Sequence, residues 1–343
     1  MAQELEKFSK VRLLNWNLLH SLESSRLKKF HYCRHGILPT PRRIQRILEF
    51  IHHKQPDVIC LQELDAKILD QLEPSLPSGL KPGIVLLNES LPAKDGCGVF
   101  FNDMKYELIS SKSVRFCNVV DRHLPQLGES ARSDAAAVSL TRALHRELKE
   151  KMNMAVMVRL RDRVSGHEFV ACSSHLYWDP AFPDIKLLQG YLLAKEAQES
   201  SADTRGLVIG ADLNSVPTHS GVYQLLMGSG TVDPAHSDHP VSLRSNKINS
   251  RLAGVSIEAV PTLHIERPFM SAMKALNNGK EPEYTNYTVN FKGCLDYVLL
   301  GGSLRPVSFQ PLPSQAELLS ETALPNSKWP SDHIPLVVDL EFS

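Results

Sequence analysis

Six short apolar runs, spread from Val11 to Val338, begin or end abruptly at residues able to hold a metal ion or a phosphate. Val11–Leu14 runs into Asn15-Trp16-Asn17, and Val58–Leu61 ends in Gln62-Glu63. Phe169–Cys172 leads to His175, and Leu207–Ile209 leads to Asp212-Leu213-Asn214. Asp296 opens Tyr297–Leu300, and Asp332-His333 opens Ile334–Val338. Apolar runs of this length read as buried strands, so their polar ends sit on the rim of a sheet, and rims brought together make a site. Because the runs draw on both halves of the chain, a single domain over residues 1–343 is expected.

Composition narrows the functional classes. Lys+Arg and Asp+Glu each number 38, so the net charge is zero and a uniformly basic nucleic-acid surface is excluded. Any polyanion must be held locally, by metal and a few basic side chains. The six cysteines (33, 60, 97, 117, 172 and 294) show no CxxC spacing. Cys60, Cys172 and Cys294 lie in or beside apolar runs, which points to a reducing compartment and no zinc cluster. No apolar stretch approaches the roughly 18 residues that a membrane span needs. Met1–Lys10 carries Glu4 and Glu6 and has neither a signal-peptide core nor a transit pattern, so cytoplasmic or nuclear residence is expected.

Thr40-Pro41 followed by Ile44, Ile47, Leu48 and Ile51 predicts a capped amphipathic helix that ends before Pro56. A second helix is expected after Pro183, with Ile185, Leu188 and Leu192 on one face, running toward Ser200. Ser133–Lys151 reads as helical and Asn153–Leu160 as a strand. Pro74–Pro82 and Gly301–Pro313 read as loops, as does His236–Glu283, which could border the cleft. This alternation describes a layered α/β protein, though periodicity leaves open whether the sheet is single or double.

Each polar end has a plain structural reading and a chemical one. Glu63 is either a surface carboxylate after a strand or a ligand for Mg²⁺, which takes few carboxylates and fills its shell with water and phosphate oxygens. Asp212 and Asn214 share a face of extended chain and either form an Asx turn before Pro217 or orient an attacking water. His175 is either a satisfied structural histidine or a donor to charge developing on phosphorus. Asp296 could accept a hydrogen bond from His333 and fix its tautomer, leaving Asp332 to face a metal; alternatively both aspartates cap buried strands. Ser237-Asp238-His239 repeats the Ser-Asp-His string without a following strand and is set aside as a decoy.

Taken in order, Asn17, Leu61-Gln62-Glu63, His175-Leu-Tyr-Trp178, Ala211-Asp-Leu-Asn-Ser215, Leu295-Asp-Tyr297 and Pro330-Ser-Asp-His333 resemble the motif series of the exonuclease/endonuclease/phosphatase superfamily, whose fold is DNase I-like. Two strings, His175–Pro180 and Tyr284–Tyr297, are similar to its deadenylase branch, which includes carbon catabolite repressor 4, nocturnin, Angel and the 2′-phosphodiesterases. The resemblance implies a four-layer α/β sandwich, two packed mixed β-sheets flanked by helices. It implies one or two Mg²⁺ ions (Mn²⁺ could substitute), with Glu63 and Asp332 as metal ligands and Asn17 supporting the metal–phosphate cluster. It assigns water activation to Asp212 and Asn214, phosphate contact to His333 oriented by Asp296, and transition-state support to His175. Pro180 and Phe291 match the pair that flanks a terminal adenine. Arg132 is the nearest candidate for a phosphate-contacting arginine, in a stretch from Pro125 to Met152 that departs from the family pattern. Leucine-rich repeats are absent, since Val11 already starts the first strand, so a free-standing enzyme is expected.

The expected function is Mg²⁺-dependent 3′–5′ removal of nucleotides, adenylates first, from RNA 3′ ends. A 2′,3′-cyclic-phosphate phosphatase, a 2′,5′-phosphodiesterase or a dinucleotide 2′-phosphatase would use the same residues. A catalytically silent RNA-binding scaffold is the remaining alternative, disfavoured because every matching position is filled.

Overall fold

A computed structural model describes residues 10–21, 28–34, 36–88, 95–132, 140–240, 242 and 262–343, without the side chains of 130–132. In chain order the strands are β1 (Val11–Asn17), β2 (Val58–Leu64), β3 (Leu80–Leu87), β4 (Gly96–Asn102), β5 (Tyr106–Arg115), β6 (Met154–Asp162), β7 (Glu168–His175), β8 (Gly206–Asp212), β9 (Met270–Ser271), β10 (Asn286–Tyr287), β11 (Lys292–Gly293), β12 (Asp296–Gly302), β13 (Leu304–Phe309) and β14 (Leu336–Phe342). The helices are α1 (Thr40–Lys54), α2 (Ala66–Leu72), α3 (Phe116–His123), α4 (Pro125–Arg132), α5 (Leu140–Glu150), α6 (Pro183–Ser200), α7 (Gly221–Met227), α8 (Ala272–Leu276) and α9 (Gln315–Leu318).

The strands form two six-stranded mixed sheets, ordered β13-β14-β1-β2-β4-β3 and β5-β6-β7-β8-β12-β9, with β10-β11 as a separate ribbon. Alternate residues of each central strand enter different cores. Leu13, Val58, Cys60, Ala171, Val208, Val298 and Val338 meet between the sheets. Leu14, Ile59 and Leu61 pack outward against Ile44, Ile47 and Ile51 of α1 and Ile68 of α2. Cys172, Ile209 and Leu299 pack outward against α3, α5, α6 and α7. Strands covered on both faces need apolar residues at every position, which is why the sequence shows unbroken runs. Helix, sheet, sheet and helix make the expected four-layer sandwich.

Near the rim, the space between the sheets turns polar. Gln62 Nε2 shares its two hydrogens among Asn15 Oδ1 at 2.9 Å, Ser173 Oγ at 3.0 Å and the Gly210 carbonyl at 3.2 Å. Asn15 Nδ2 reaches the Tyr297 carbonyl at 3.3 Å, and Ser173 Oγ donates to the Leu61 carbonyl at 2.8 Å. Gly210 makes room for this seam: a Cβ there would stand 2.6 Å from Cys60 Cβ and 2.7 Å from Asn15 Oδ1.

Several expectations need correction. The Pro74–Pro82 and Gly301–Pro313 stretches contain the start of β3 and all of β13. Both are edge strands, and each proline-bearing register shifts at its proline, Pro82/Ile84 and Pro306/Ser308. An edge strand has one side free of ladder bonds, so proline is tolerated there although it reads as a loop signal. Helix α1 begins at Thr40 itself, without a side-chain cap. The helical reading of Ser133–Lys151 holds for Leu140–Glu150, while residues 133–139 lie outside the described residues. Helices α3 and α4 precede it and were not anticipated. Within His236–Glu283, β9 and α8 are ordered elements; 241 and 243–261 lie outside the described residues. Asp238 accepts a hydrogen bond from the Gly221 amide at 2.8 Å, a structural role at the start of α7. No described helix is long and apolar enough to cross a membrane.

Gly210→Ala is expected to lower stability by about 1–3 kcal/mol, the usual cost of overpacking a filled interior. A urea midpoint equal to that of the wild type would refute the close-approach argument.

Candidate active site

The residues at the strand ends share the parity of the inter-sheet core. Along β1, Val11 and Leu13 point between the sheets and Asn17 continues the same face. In the second sheet His175 pairs in register with Asp212, and Asp212 with Asp296, so three polar residues stand side by side on neighbouring strands. Glu63 would have the wrong parity in a regular strand. A bulge between Gln62 and Leu64, with Glu63 at φ 55°, turns its side chain inward and returns Leu64 to the outer core. Asn214 also holds a left-handed backbone, at φ 47°. Such conformations are uncommon for non-glycine residues and cluster where side-chain placement matters.

Asp212 is the hub. Its Oδ2 lies 2.9 Å from Asn17 Nδ2, 3.5 Å from His175 Nε2 and 3.7 Å from His333 Nε2. Its Oδ1 accepts from the Asn214 amide at 2.9 Å. Asn17 Nδ2 also donates to Glu63 Oε1 at 3.1 Å, so one amide from the first sheet joins carboxylates of both sheets. His333 Nδ1 lies 2.8 Å from Asp296 Oδ2, which also accepts from Thr285 Oγ1 at 2.6 Å. Asn214 Nδ2 lies 2.9 Å from His175 Nε2 and donates to the Leu176 carbonyl at 3.0 Å.

The electrostatics follow from this packing. Burial pushes the Asp212 carboxyl above its ordinary range, and the pull of His175 and His333 does not fully restore it. Burial acts against the charged form of His333, yet Asp296 and Asp212 raise its pKa well above that of a free imidazole. Burial would also raise Glu63, but the hydrogen bond from His20 and the nearby histidines hold it well below the usual carboxylate range.

Asp212, Asp296 and His333 form a group with donor atoms close enough to hold an ion together. Asp332 is buried beside His333 but is not in that group; its backbone carbonyl accepts from Tyr287 N at 3.1 Å. Asp296 Oδ1 and Asp332 Oδ1 are buried without hydrogen-bond partners, a demand that a cation or a substrate donor would meet. Hard oxygen donors of this kind suit Mg²⁺. Pro180 is exposed in the loop after β7. Phe291 is 41% exposed at the tip of the β10-β11 ribbon, whose Asn286 bridges to His333. The side chain of Arg132 is not among those described.

Sequence reading missed three supports. Ser331 Oγ donates to the Asn17 carbonyl at 2.7 Å and accepts from His333 N at 3.1 Å. Thr285 Oγ1 accepts from Asp296 N at 2.9 Å while holding its carboxylate. His20 meets Glu63 from outside any strand. Ser331 and Thr285 lay inside the quoted strings; His20 gave no periodic signal.

The chain matches the endonuclease/exonuclease/phosphatase family over residues 14–333 and belongs to that family. It is 27% identical over 356 residues to human 2′,5′-phosphodiesterase 12, covering 97% of this chain and 52% of that protein. It is 27% identical over 368 residues to the CCR4-Not complex 3′-5′-exoribonuclease subunit Ccr4 of Aspergillus niger, covering 96% of this chain and 51% of that protein. The chain thus spans about half the length of these curated relatives. Among solved structures, ANGEL2, a 2′,3′-cyclic phosphatase in complex with adenosine-2′,3′-vanadate, superposes with a TM-score of 0.74 at 22% identity, covering 99% of this chain and 97% of that one. These likenesses bear out the deadenylase-branch resemblance and the sandwich fold.

Asp296→Asn removes the main charge supporting the His333 imidazolium, so the His333 midpoint followed by NMR is expected to fall. A midpoint unchanged from wild type would contradict the pairing. Because the folded-state value is raised, the stabilisation is complete below the free value of 6.5 and is lost as pH rises through the folded one. The stability gap between wild type and Asp296→Asn should therefore shrink at high pH.

Proposed function

We propose that this chain is a Mg²⁺-dependent phosphodiesterase acting on RNA 3′ ends, with adenylate ends as the preferred substrate. The observation that carries the reading is the single amide of Asn17 tying Glu63 to Asp212 across the two sheets, beside a His333 held by Asp296. Enzymes of the family are metal-dependent, and the oxygen-rich donor set fits a hard cation. Glu63, joined to Asp212 through Asn17, would hold it, while Asp332 stands outside the donor group around Asp212. When bound, it would supply Lewis-acid polarisation of the non-bridging phosphate oxygens.

The protein's own groups do the rest. Asp212, made more basic by burial, accepts the proton of the attacking water while Asn214 fixes the turn that aims it. His333, cationic and fixed by Asp296, faces the charge that develops on phosphorus, with His175 as a second donor from the other side of Asp212. Phe291 and Pro180 flank the terminal base. Gly293 lies beneath the ring: a Cβ there would come 2.8 Å from Phe291 Cζ, so a larger residue would shift the phenyl from its place on the ribbon.

A second reading, hydrolysis of a small terminal phosphate such as a 2′,3′-cyclic phosphate or a 2′,5′ linkage, is favoured by the similarity to ANGEL2 and to 2′,5′-phosphodiesterase 12.

A panel of poly(A) RNA, 2′,5′-oligoadenylate, RNA ending in a 2′,3′-cyclic phosphate and a 2′-phosphorylated dinucleotide, each with Mg²⁺, separates the readings. Fastest turnover of poly(A) is expected; turnover of the cyclic phosphate alone would replace the first reading with the second. Glu63→Ala and Asp212→Ala should each lower hydrolysis by at least about 10²–10⁴-fold with the fold intact. Retained activity in the folded double variant would sink the mechanism. Phe291→Ala should cost about 1–3 kcal/mol of stacking, read as a raised KM for adenylate-ended RNA.

A further inference from the structure

The loop that follows β1 carries His20 to Glu63 and is braced from α1 and from the start of α2. Arg43, fully buried on α1, donates to the carbonyls of Leu18 at 2.8 Å, Leu19 and His20 at 3.1 Å, and to Pro330 at 3.2 Å. Leu19 N donates to Asn17 Oδ1 at 3.0 Å, with Leu19 in a left-handed conformation at φ 57°. Ser21 N and Oγ both bond to Asp65, at 2.6 Å and 3.0 Å. A non-glycine residue stays left-handed only where its surroundings over-determine it. The product of this bracing is the placement of one side chain. His20 Nδ1 lies 2.5 Å from Glu63 Oε2, and the His20 backbone N–H donates to the same oxygen at 3.1 Å.

A carboxylate oxygen carries two in-plane lone pairs. Oε2 therefore has both directions occupied by His20, whereas among the described residues Oε1 has a single donor, Asn17 Nδ2. Among the described residues the Glu63 carboxylate is held at both ends, with an open lone pair on Oε1, the oxygen that shares the Asn17 amide with Asp212.

We propose that His20 is a positioning residue for the metal carboxylate: it clamps Oε2 of Glu63 through its ring and its backbone, so that Oε1 is the atom offered to the cation. The inference rests on the reading of Glu63 as a metal ligand. Groups that orient a metal ligand commonly set metal affinity within one or two orders of magnitude, and a clamp built on a braced loop loses little when the ion arrives.

The test reads metal binding without substrate, by titrating Mn²⁺ into the full chain and following the free-ion EPR signal. His20→Ala is expected to weaken Mn²⁺ binding by about 10- to 100-fold. His20→Asn, whose Nδ2 can occupy the position of the ring Nδ1, is expected to recover most of that loss. Thermal melting of each variant establishes that it is folded. Unchanged affinity in folded His20→Ala, while Glu63→Gln loses it, overturns this inference and leaves the metal reading standing. Unchanged affinity in Glu63→Gln overturns both. A strong nitrogen coupling of bound Mn²⁺ that vanishes in His20→Ala would make His20 a direct ligand and would also overturn the positioning role.

Discussion

Two sheets can share one site only if their rims are locked to each other, and in this protein the lock is the polar seam of Asn15, Gln62, Ser173 and the Gly210 carbonyl. Hydrophobic contact between sheets is non-directional and permits sliding. Hydrogen bonds buried between them do not, because each group left unpaired there costs about 1–3 kcal/mol. The seam sits one side-chain layer beneath Asn17, Asp212 and Asp296. It converts a soft apolar interface into a fixed separation, and Gly210 keeps that separation small enough for Asn17 to reach two carboxylates.

With the rims fixed, the chemistry becomes a matter of compensating charge in a confined space. Asp212 is buried among Asn17, His175 and His333, and Asp296 sits behind His333. No member of this set is stable alone: an isolated buried carboxylate would take up a proton, and an isolated buried imidazole would lose one. Their mutual dependence produces a basic carboxylate and a persistent imidazolium in contact, the pair needed to accept a proton from water and to face a phosphorane. Glu63 stands apart. It is kept ionised by His20 and aimed by a bulge, as a ligand must be and a proton acceptor need not be.

Much of this was legible in the residues. The six apolar runs correspond to β1, β2, β7, β8, β12 and β14, and their polar ends lie on one rim. What escaped was of three kinds. Edge strands β3 and β13 were hidden by their prolines, which signal loops unless the strand's position in the sheet is known. The bulge at Glu63 could not be seen, since a one-residue insertion leaves no compositional trace. His20 and Ser331 were missed because each holds a partner far along the chain, Glu63 and Asn17, and Thr285 because a hydroxyl between two short strands carries no periodic signal.

The sequence by itself determined which residues could carry chemistry and that strands would present them at their ends, because both follow from local residue type and from runs too apolar to be exposed. It also carried the ordered motifs by which the family is recognised. It could not decide which face of each strand looks toward the site. Strands covered on both sides are apolar at every position, so the period that normally marks the buried face is erased. Only the stacking of the two sheets chose that face. By doing so it turned Asn17, His175, Asp212 and Asp296 toward one another, and it left the bulge at Glu63 and the braced loop at His20 to set the carboxylate that Asn17 joins to Asp212.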